Sequence, residues 1–333
     1  MRESREALIR GFLRSAGWDD AERRMLAQDA SFRRYERLVD GDRRAVLMDA
    51  PPPLEDVRPF IAVGRHLRRL GLSAPEILAE DAEKGLLLLE DLGDDTFTRL
   101  LAAGADEHEL YALGVDTLAT LHRSPEAVAL DLPPYDEERL LAEARLLVDW
   151  YLPAILQRPA TADEAESYAA AWREVLPEAR GAPCTLVLRD YHVDNLVRLP
   201  ARSGVAACGL LDFQDAVRGP ASYDLVSLLE DARRDVPLHL ATRMLERYLA
   251  QLPFVDRETF MRSYRVLGAQ RHAKVIGIFT RLAHRDRKPA YLRHLPRLWR
   301  LLERSLVDPL LGPVRSWLDR NLPPDRRRVP EPD

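Results

Sequence analysis

Asp190 is followed five positions later by Asn195, and a second aspartate, Asp212, stands after the apolar pair Leu210-Leu211. Asp190 itself ends the run Leu186-Val187-Leu188-Arg189. Two strands are therefore expected to bring one bare carboxylate, one amide and a second carboxylate to a common edge. A carboxylate in that position can take a proton from an attacking hydroxyl. An amide oxygen and another carboxylate can hold Mg²⁺, which prefers hard oxygen ligands and leaves room for phosphate oxygens. The chemistry that needs this set is phosphoryl transfer, with Asp190 as base or hydroxyl-orienting group and Asn195 and Asp212 as metal ligands. Taken alone, Asp190 reads equally well as a capping carboxylate, and it is the three residues together that favour a site. The trio Asp190, His192 and Asp194 also suggests a metal cluster, but no cysteine pair or second histidine stands at zinc-ligand spacing.

The Asp-to-Asn interval is that of kinase catalytic loops. The stretches Leu86–Gly93, Leu118–His122 and Leu211–Ala216 resemble the aminoglycoside-phosphotransferase type of small-molecule kinase. Three more, Ala30–Tyr35, Asp215–Leu229 and Arg281–Asp286, are similar to the bacterial kinases that act on the anomeric hydroxyl of N-acetylmuramate and N-acetylglucosamine. The likeness runs from about residue 20 to about residue 305, nearly the whole chain. It implies an α+β, protein-kinase-like two-lobe fold, with a small strand-rich N-lobe and a larger, mostly helical C-lobe. It also implies ATP and Mg²⁺ as cofactors, a sugar as substrate and a place in peptidoglycan recycling.

The same resemblance assigns further residues. Ser31, Phe32, Arg33 and Arg34 would lie over the triphosphate, and adjacent arginines suit contact with phosphate oxygens. The bland alternative is a solvated, charged strand end. Neighbours on a strand point to opposite faces, so one arginine should reach inward, and Arg33 is favoured because Tyr35 shares its face. Glu90 and Leu92 would read the adenine through their backbone, and Gly93 fits a hinge. The family usually carries a Lys or Arg on the strand where this chain has Met48, and a His two positions before the base, where it has Leu188. The first departure leaves Arg33 or Arg34 to supply the charge, with Glu55 as a partner, or makes the chain a nucleotide-binding pseudokinase. His192 and Asp194 are candidates to face the substrate. Arg281, His284 and Arg285 are candidates to read the carboxylate of N-acetylmuramate. They lie in a basic segment, 262–304, that reads otherwise as a solvated helix pair or a nucleic-acid face. Within the enzyme class the alternative is another small-hydroxyl kinase of the aminoglycoside phosphotransferase type. Aminoglycosides are polycations, and arginines at 281–287 argue against them.

The elements that must carry these residues can be read from pattern. The N-lobe is expected over 1–91 and the C-lobe over 92–333, with a catalytic hairpin at 185–213. Residues 3–17 have helical spacing, and Gly17 can end the helix. Asp40-Gly41 marks a hairpin between Tyr35–Val39 and Arg44–Met48. A helix is expected over Leu54–Leu70 and strands over Ile77–Ala79 and Leu86–Leu89. Helices are expected over Thr96–Leu121 and Glu137–Leu176, and again after residue 213. The charged, Pro-rich tail Pro323–Asp333 is expected to fray. His122 is expected to be a structural histidine, and Asp224 to brace the helix after the metal-ligand loop.

Composition fits such an enzyme. At 333 residues the chain can bury a large core, and 46% hydrophobic with 31% charged residues is ordinary for a globular protein. A net charge of −5 disfavours a nucleic-acid binder. No apolar run approaches the roughly 20 residues of a membrane span, and the first residues lack a signal-peptide core. A cytoplasmic protein with no obligatory protein partner is expected. Cys184 and Cys208 are expected as core thiols beside the two site strands.

Overall fold

The structure, a computed structural model, describes residues 4–28 and 32–331. Its strands are β1 (Glu22–Gln28), β2 (Arg34–Asp40), β3 (Arg43–Asp49), β4 (Ile77–Asp81), β5 (Leu86–Glu90), β6 (Cys184–Val187), β7 (Leu196–Arg198), β8 (Cys208–Leu210) and β9 (Val217–Pro220). The helices up to the catalytic loop are α1 (Arg5–Ser15), α2 (Arg58–Arg69), α3 (Phe97–Ala102), α4 (Glu107–Arg123), α5 (Glu137–Ala144), α6 (Leu152–Leu156) and α7 (Ala162–Val175). After it come α8 (Ser222–Leu229), α9 (Leu238–Ala250), α10 (Arg257–His284), α11 (Leu295–Ser305) and α12 (Gly312–Asn321). The chain forms two compact units, 1–117 with 193–216, and 118–192 with 217–333.

The first unit is built on an antiparallel sheet in the order β1-β2-β3-β5-β4. Alternation sorts its side chains. Leu38, Ala45, Leu47, Leu86 and Leu88 pack with Ile9, Phe12 and Leu13 of α1 and with Trp18. The other face carries Tyr35, Arg37, Val46 and Leu89, which line a cavity. Gly17, at φ +74°, ends α1, because a side chain there would meet its own backbone. The β2–β3 hairpin turns at Gly41, as the Asp-Gly pair requires, with Val39 opposite Arg44. Helix α2 starts at Arg58 rather than at Leu54, since the Leu54 and Glu55 amides turn back onto the Pro51 carbonyl. The same unit holds the short β7–β8 ladder, Leu196 opposite Leu210, and Ser73 bridges onto Gly209.

The second unit is helical around α10, which is buried along most of its length. Gly277 lets that helix lie on the backbone of Leu146, where an added Cβ would sit 2.2 Å from a carbonyl carbon. The expected basic surface is not what α10 presents: Arg271, His272 and Lys274 are in its interior. The run of charges had suggested solvent exposure, but α5, α8 and α11 cover that side.

Three more expectations are corrected. The segment 185–213 is not one hairpin, because β6 pairs with β9 and β7 with β8. Apolar runs of three or four residues carry no mark of which partner they take. Cys184 opens β6 exposed, and only Cys208 is buried. The tail does not fray as far as residue 331: Arg327 pairs with Glu303 at 3.0 Å and Asp319 at 2.5 Å, and Tyr151 donates to the carbonyls of Arg326 and Arg328. No helix of the described residues is long and apolar enough to cross a membrane.

Candidate active site

In the first unit the cavity is about 630 Å³ and is lined by Tyr35, Arg37, Val46, Glu90, Leu92, Asp194, Asn195 and Asp212 among others. Arg33 stands just before β2 on the face of Tyr35 and Arg37, and only 9% of it is exposed. Its Nη2 is 3.7 Å from Asp212 Oδ1 and its Nε 3.8 Å from Glu55 Oε2. Arg34 is exposed, so the alternation expected from the sequence separates the two arginines. Glu55 also accepts the Phe32 amide at 3.0 Å, while the Phe32 side chain is exposed. Ser31 lies outside the described residues. Met48 shares the face of Val46 and is fully buried, so it leaves that face of β3 apolar where the resemblance predicts a cation.

Asn195 ends a one-turn helix that leads into β7, and Asp212 follows β8. The β7–β8 register brings them together: Leu211 donates its amide to the Asn195 carbonyl at 3.0 Å, and the two side chains approach to 3.4 Å. Asp212 sits at φ +57°, a left-handed conformation costly for a residue with a Cβ, and such strain persists where surroundings over-determine it. Gln214 donates to its Oδ1 at 2.8 Å, and Phe213 stacks on Phe60 with ring centroids 4.7 Å apart. Gly64 makes room for that ring; a Cβ there would stand 3.2 Å from it. No group of three or more His, Cys, Asp or Glu able to hold a metal occurs among the described residues. One carboxylate and one amide side chain lining the cavity instead fit a hard cation such as Mg²⁺, which would need further oxygen ligands from outside the protein.

Arg37 was not singled out from the sequence. Its guanidinium reaches Asp91 at 2.7 Å and Asp94 at 2.8 Å, which ties β2 to the segment after β5. Those carboxylates raise its pKa against the opposing pull of burial, with Asp94 the largest influence. The available signal was its place two positions beyond Tyr35 on the inward face. Glu90 and Leu92 both line the cavity. The Glu90 amide is committed to the Glu76 carbonyl at 2.8 Å, and its side chain is paired with Arg202. Asp194 accepts the Thr98 hydroxyl.

The second unit contains Asp190. Its turn is tight: the Asp190 amide donates to the Leu188 carbonyl at 2.9 Å, and the His192 amide to the Asp190 carbonyl at 3.1 Å. Arg189 within it has φ +70°. The carboxylate of Asp224, in the first turn of α8, accepts the amides of Leu188 at 2.6 Å and Arg189 at 2.8 Å. Burial raises the Asp224 carboxyl to about 7 and the charge of Asp190 adds to this, although the two amides and Arg271 pull the other way. Asp224 was expected to brace the helix; from the first turn of α8 it also braces the loop at the buried Leu188.

His192 is buried, with Nε2 3.3 Å from Arg233 Nη1. His122 is structural as expected: it meets the Tyr248 hydroxyl at 2.6 Å, and burial lowers its pKa to about 3. Arg281 and His284 lie half-buried in the last turn of α10. Arg285 is exposed and paired with its neighbour Asp286 at 2.8 Å, which weakens it as a carboxylate reader.

The signature of the phosphotransferase enzyme family matches residues 22–262. The chain belongs to that family. A member from Caulobacter vibrioides called N-acetylmuramate/N-acetylglucosamine kinase is 37% identical over 358 aligned residues, covering 97% of this chain and 98% of its own. One of the same name from Pseudomonas aeruginosa is 41% identical over 304 residues, with 87% and 86% covered. Among solved structures, a choline/ethanolamine kinase family protein from Mesorhizobium loti superposes with a TM-score of 0.62 at 15% identity, over 94% of this chain and all of that one. An ADP-bound aminoglycoside phosphotransferase gives 0.57 at 16% identity, over 84% and 92%. At such identities the structures establish the kinase-like fold, and the family match establishes a phosphotransferase.

Proposed function

We propose that this phosphotransferase moves the γ-phosphoryl group of ATP to the anomeric hydroxyl of N-acetylmuramate and N-acetylglucosamine, in the recycling of peptidoglycan sugars. The observation that carries the substrate is the 37–41% identity, over most of the chain, to four relatives that bear that double name. The lobes expected from the sequence, 1–91 and 92–333, serve in this proposal as the nucleotide side and the sugar side. The reaction is placed in the cytoplasm, with no obligatory protein partner.

The roles follow from chemistry. Asp190 accepts the hydroxyl proton as the sugar oxygen bonds to the γ-phosphorus; the bond from that phosphorus to the β-phosphate oxygen breaks, and ADP leaves. Asn195 and Asp212 would hold Mg²⁺, which would supply positive charge against the phosphates. Arg33 supplies the cation that Met48 cannot, and Glu55 keeps that guanidinium on the cavity side. Arg37 fixes the segment 91–94 beside the adenine end of the cavity.

A thermal-shift assay with ATP and Mg²⁺, followed by a phosphate-transfer screen over amino sugars and aminoglycosides, tests this. Transfer to both N-acetyl sugars is expected, with loss of the reducing end. Nucleotide binding with no transfer to any sugar would favour a pseudokinase, and transfer to an aminoglycoside would replace the substrate.

A further inference from the structure

Arg189, the residue before Asp190, is clasped twice. Its backbone amide is held by Asp224, and its guanidinium donates to Glu143 Oε1 at 2.5 Å. Glu143 lies in the last turn of α5. Its other oxygen takes Lys274 Nζ at 2.9 Å and the Tyr135 hydroxyl at 2.5 Å. Lys274, on α10, also donates to the Tyr223 hydroxyl at 3.2 Å, and Tyr223 is the chain neighbour of Asp224. The two clasps are thus linked through Lys274 into one buried network.

Burial is the largest single influence and pushes the Glu143 carboxyl up, but Lys274 and Arg189, with the hydrogen bonds it accepts, together outweigh it and hold the carboxyl below the usual carboxylate range. Buried ion pairs of this kind are poor sources of stability, and apolar residues of similar volume often serve a core as well. What such a pair does supply is direction. Arg189 holds a left-handed φ of 70° that a residue with a Cβ adopts only under constraint, and Glu143 is the constraint on its side chain. Asp190 takes its heading from that turn.

We infer that Glu143 is a positioning residue for the transfer: by anchoring the Arg189 guanidinium it fixes the turn that aims the Asp190 carboxylate. Lys274 balances the charge of Glu143 without itself aiming the turn. The inference rests on Asp190 being the base.

Steady-state kinetics on four variants test it. Glu143→Ala should lower kcat at least about tenfold while the KM for ATP stays within about twofold, since a misaimed base spoils chemistry more than binding. Glu143→Asp should recover part of that loss. Lys274→Met disturbs the same buried cluster but leaves the Arg189 contact, and should keep kcat within about threefold of wild type. Should Glu143→Ala fail to fold, Glu143→Gln carries the same expectation of a kcat loss, because one amide oxygen replaces two acceptors for three donors. A kcat within about twofold of wild type in Glu143→Ala or Glu143→Gln overturns the inference, as does an equal loss in Lys274→Met, which would make the cluster structural only. Asp190→Asn separates the two levels: if it still turns over, the base assignment fails; if it is inactive while Glu143 variants are active, only the positioning role fails.

Discussion

Asp224 Oδ2 accepts the backbone amide of Leu188 at 2.6 Å, so the loop that carries Asp190 is hung on the first turn of α8. Its other oxygen holds the next amide, that of Arg189 at 2.8 Å, so both carboxylate oxygens are engaged with the turn. The brace acts on the main chain and is therefore indifferent to which side chain stands at position 188.

A pH dependence follows. The Asp224 carboxyl is raised from an ordinary 3.8 to about 7, so between those values the folded chain keeps a proton that the unfolded chain has lost. The side chain's contribution to stability is therefore largest in acid, declines as pH rises from about 4 to about 7, and levels off above. Asp224→Asn should remove that decline. Urea unfolding at pH 5 and pH 7.5 measures it: the stability gap between wild type and mutant should be wider at pH 5. An equal gap at both would mean that Asp224 is already ionised at the lower pH.

Asp190→Asn should retain the fold and nucleotide binding while turnover drops by at least about 10², the usual scale for a lost general base. Calorimetric titration with ATP beside the activity assay separates the two effects. Near-wild-type turnover would remove Asp190 from the chemistry.

Asp212→Ala should abolish the Mg²⁺ dependence of ATP affinity, because the cavity carboxylate whose side chain approaches Asn195 to 3.4 Å is lost. It also removes the hydrogen-bond partner of Gln214 and leaves a Cβ at a φ of +57° without the polar side chain that tolerates it, so a modest fall in melting temperature should accompany the loss of activity. Unchanged Mg²⁺ dependence would place the ion elsewhere.

Arg33→Ala should raise the KM for ATP or lower kcat at least about tenfold, or about 1.4 kcal/mol, while Arg34→Ala stays mild. The contrast rests on Arg33 lying 3.7 Å from Asp212 on the cavity face and Arg34 lying exposed. Loss of the arginine also leaves Glu55 and Asp212 to repel the phosphates. Equal kinetics in the two mutants would move the phosphate cation to another part of the chain.

Much of this arrangement was legible from residue types and spacing. The Asp190, Asn195 and Asp212 intervals named the trio, and the period of two along β2 picked Arg33 over Arg34. Glu55 was named as its partner. The pairing of β6 with β9 was not legible, since Leu186-Val187 matches either neighbour's apolarity. Nor was the Glu143 network: Glu143 and Lys274 are 131 positions apart, and only folding makes one charge among several on α5 and one among several on α10 a pair. The basic run on α10 misled because composition cannot tell a solvated helix from one whose charges are paired inside. The tail misled likewise; its prolines suggested disorder, but Arg327 lies over the Trp299 ring at 5.6 Å.

Both compact units are interrupted in sequence, and this bears on how the protein is made. The cavity draws Tyr35, Arg37 and Glu90 from early in the chain but Asn195 and Asp212 from a stretch synthesised after seventy-five residues of the other unit, 118–192. A nascent chain released before residue 195 would own the sheet and lack both proposed metal ligands. Recovery of ATP binding during translation is thus a late event, and a chain arrested before residue 195 should stay blind to the nucleotide even with β1 to β5 in place.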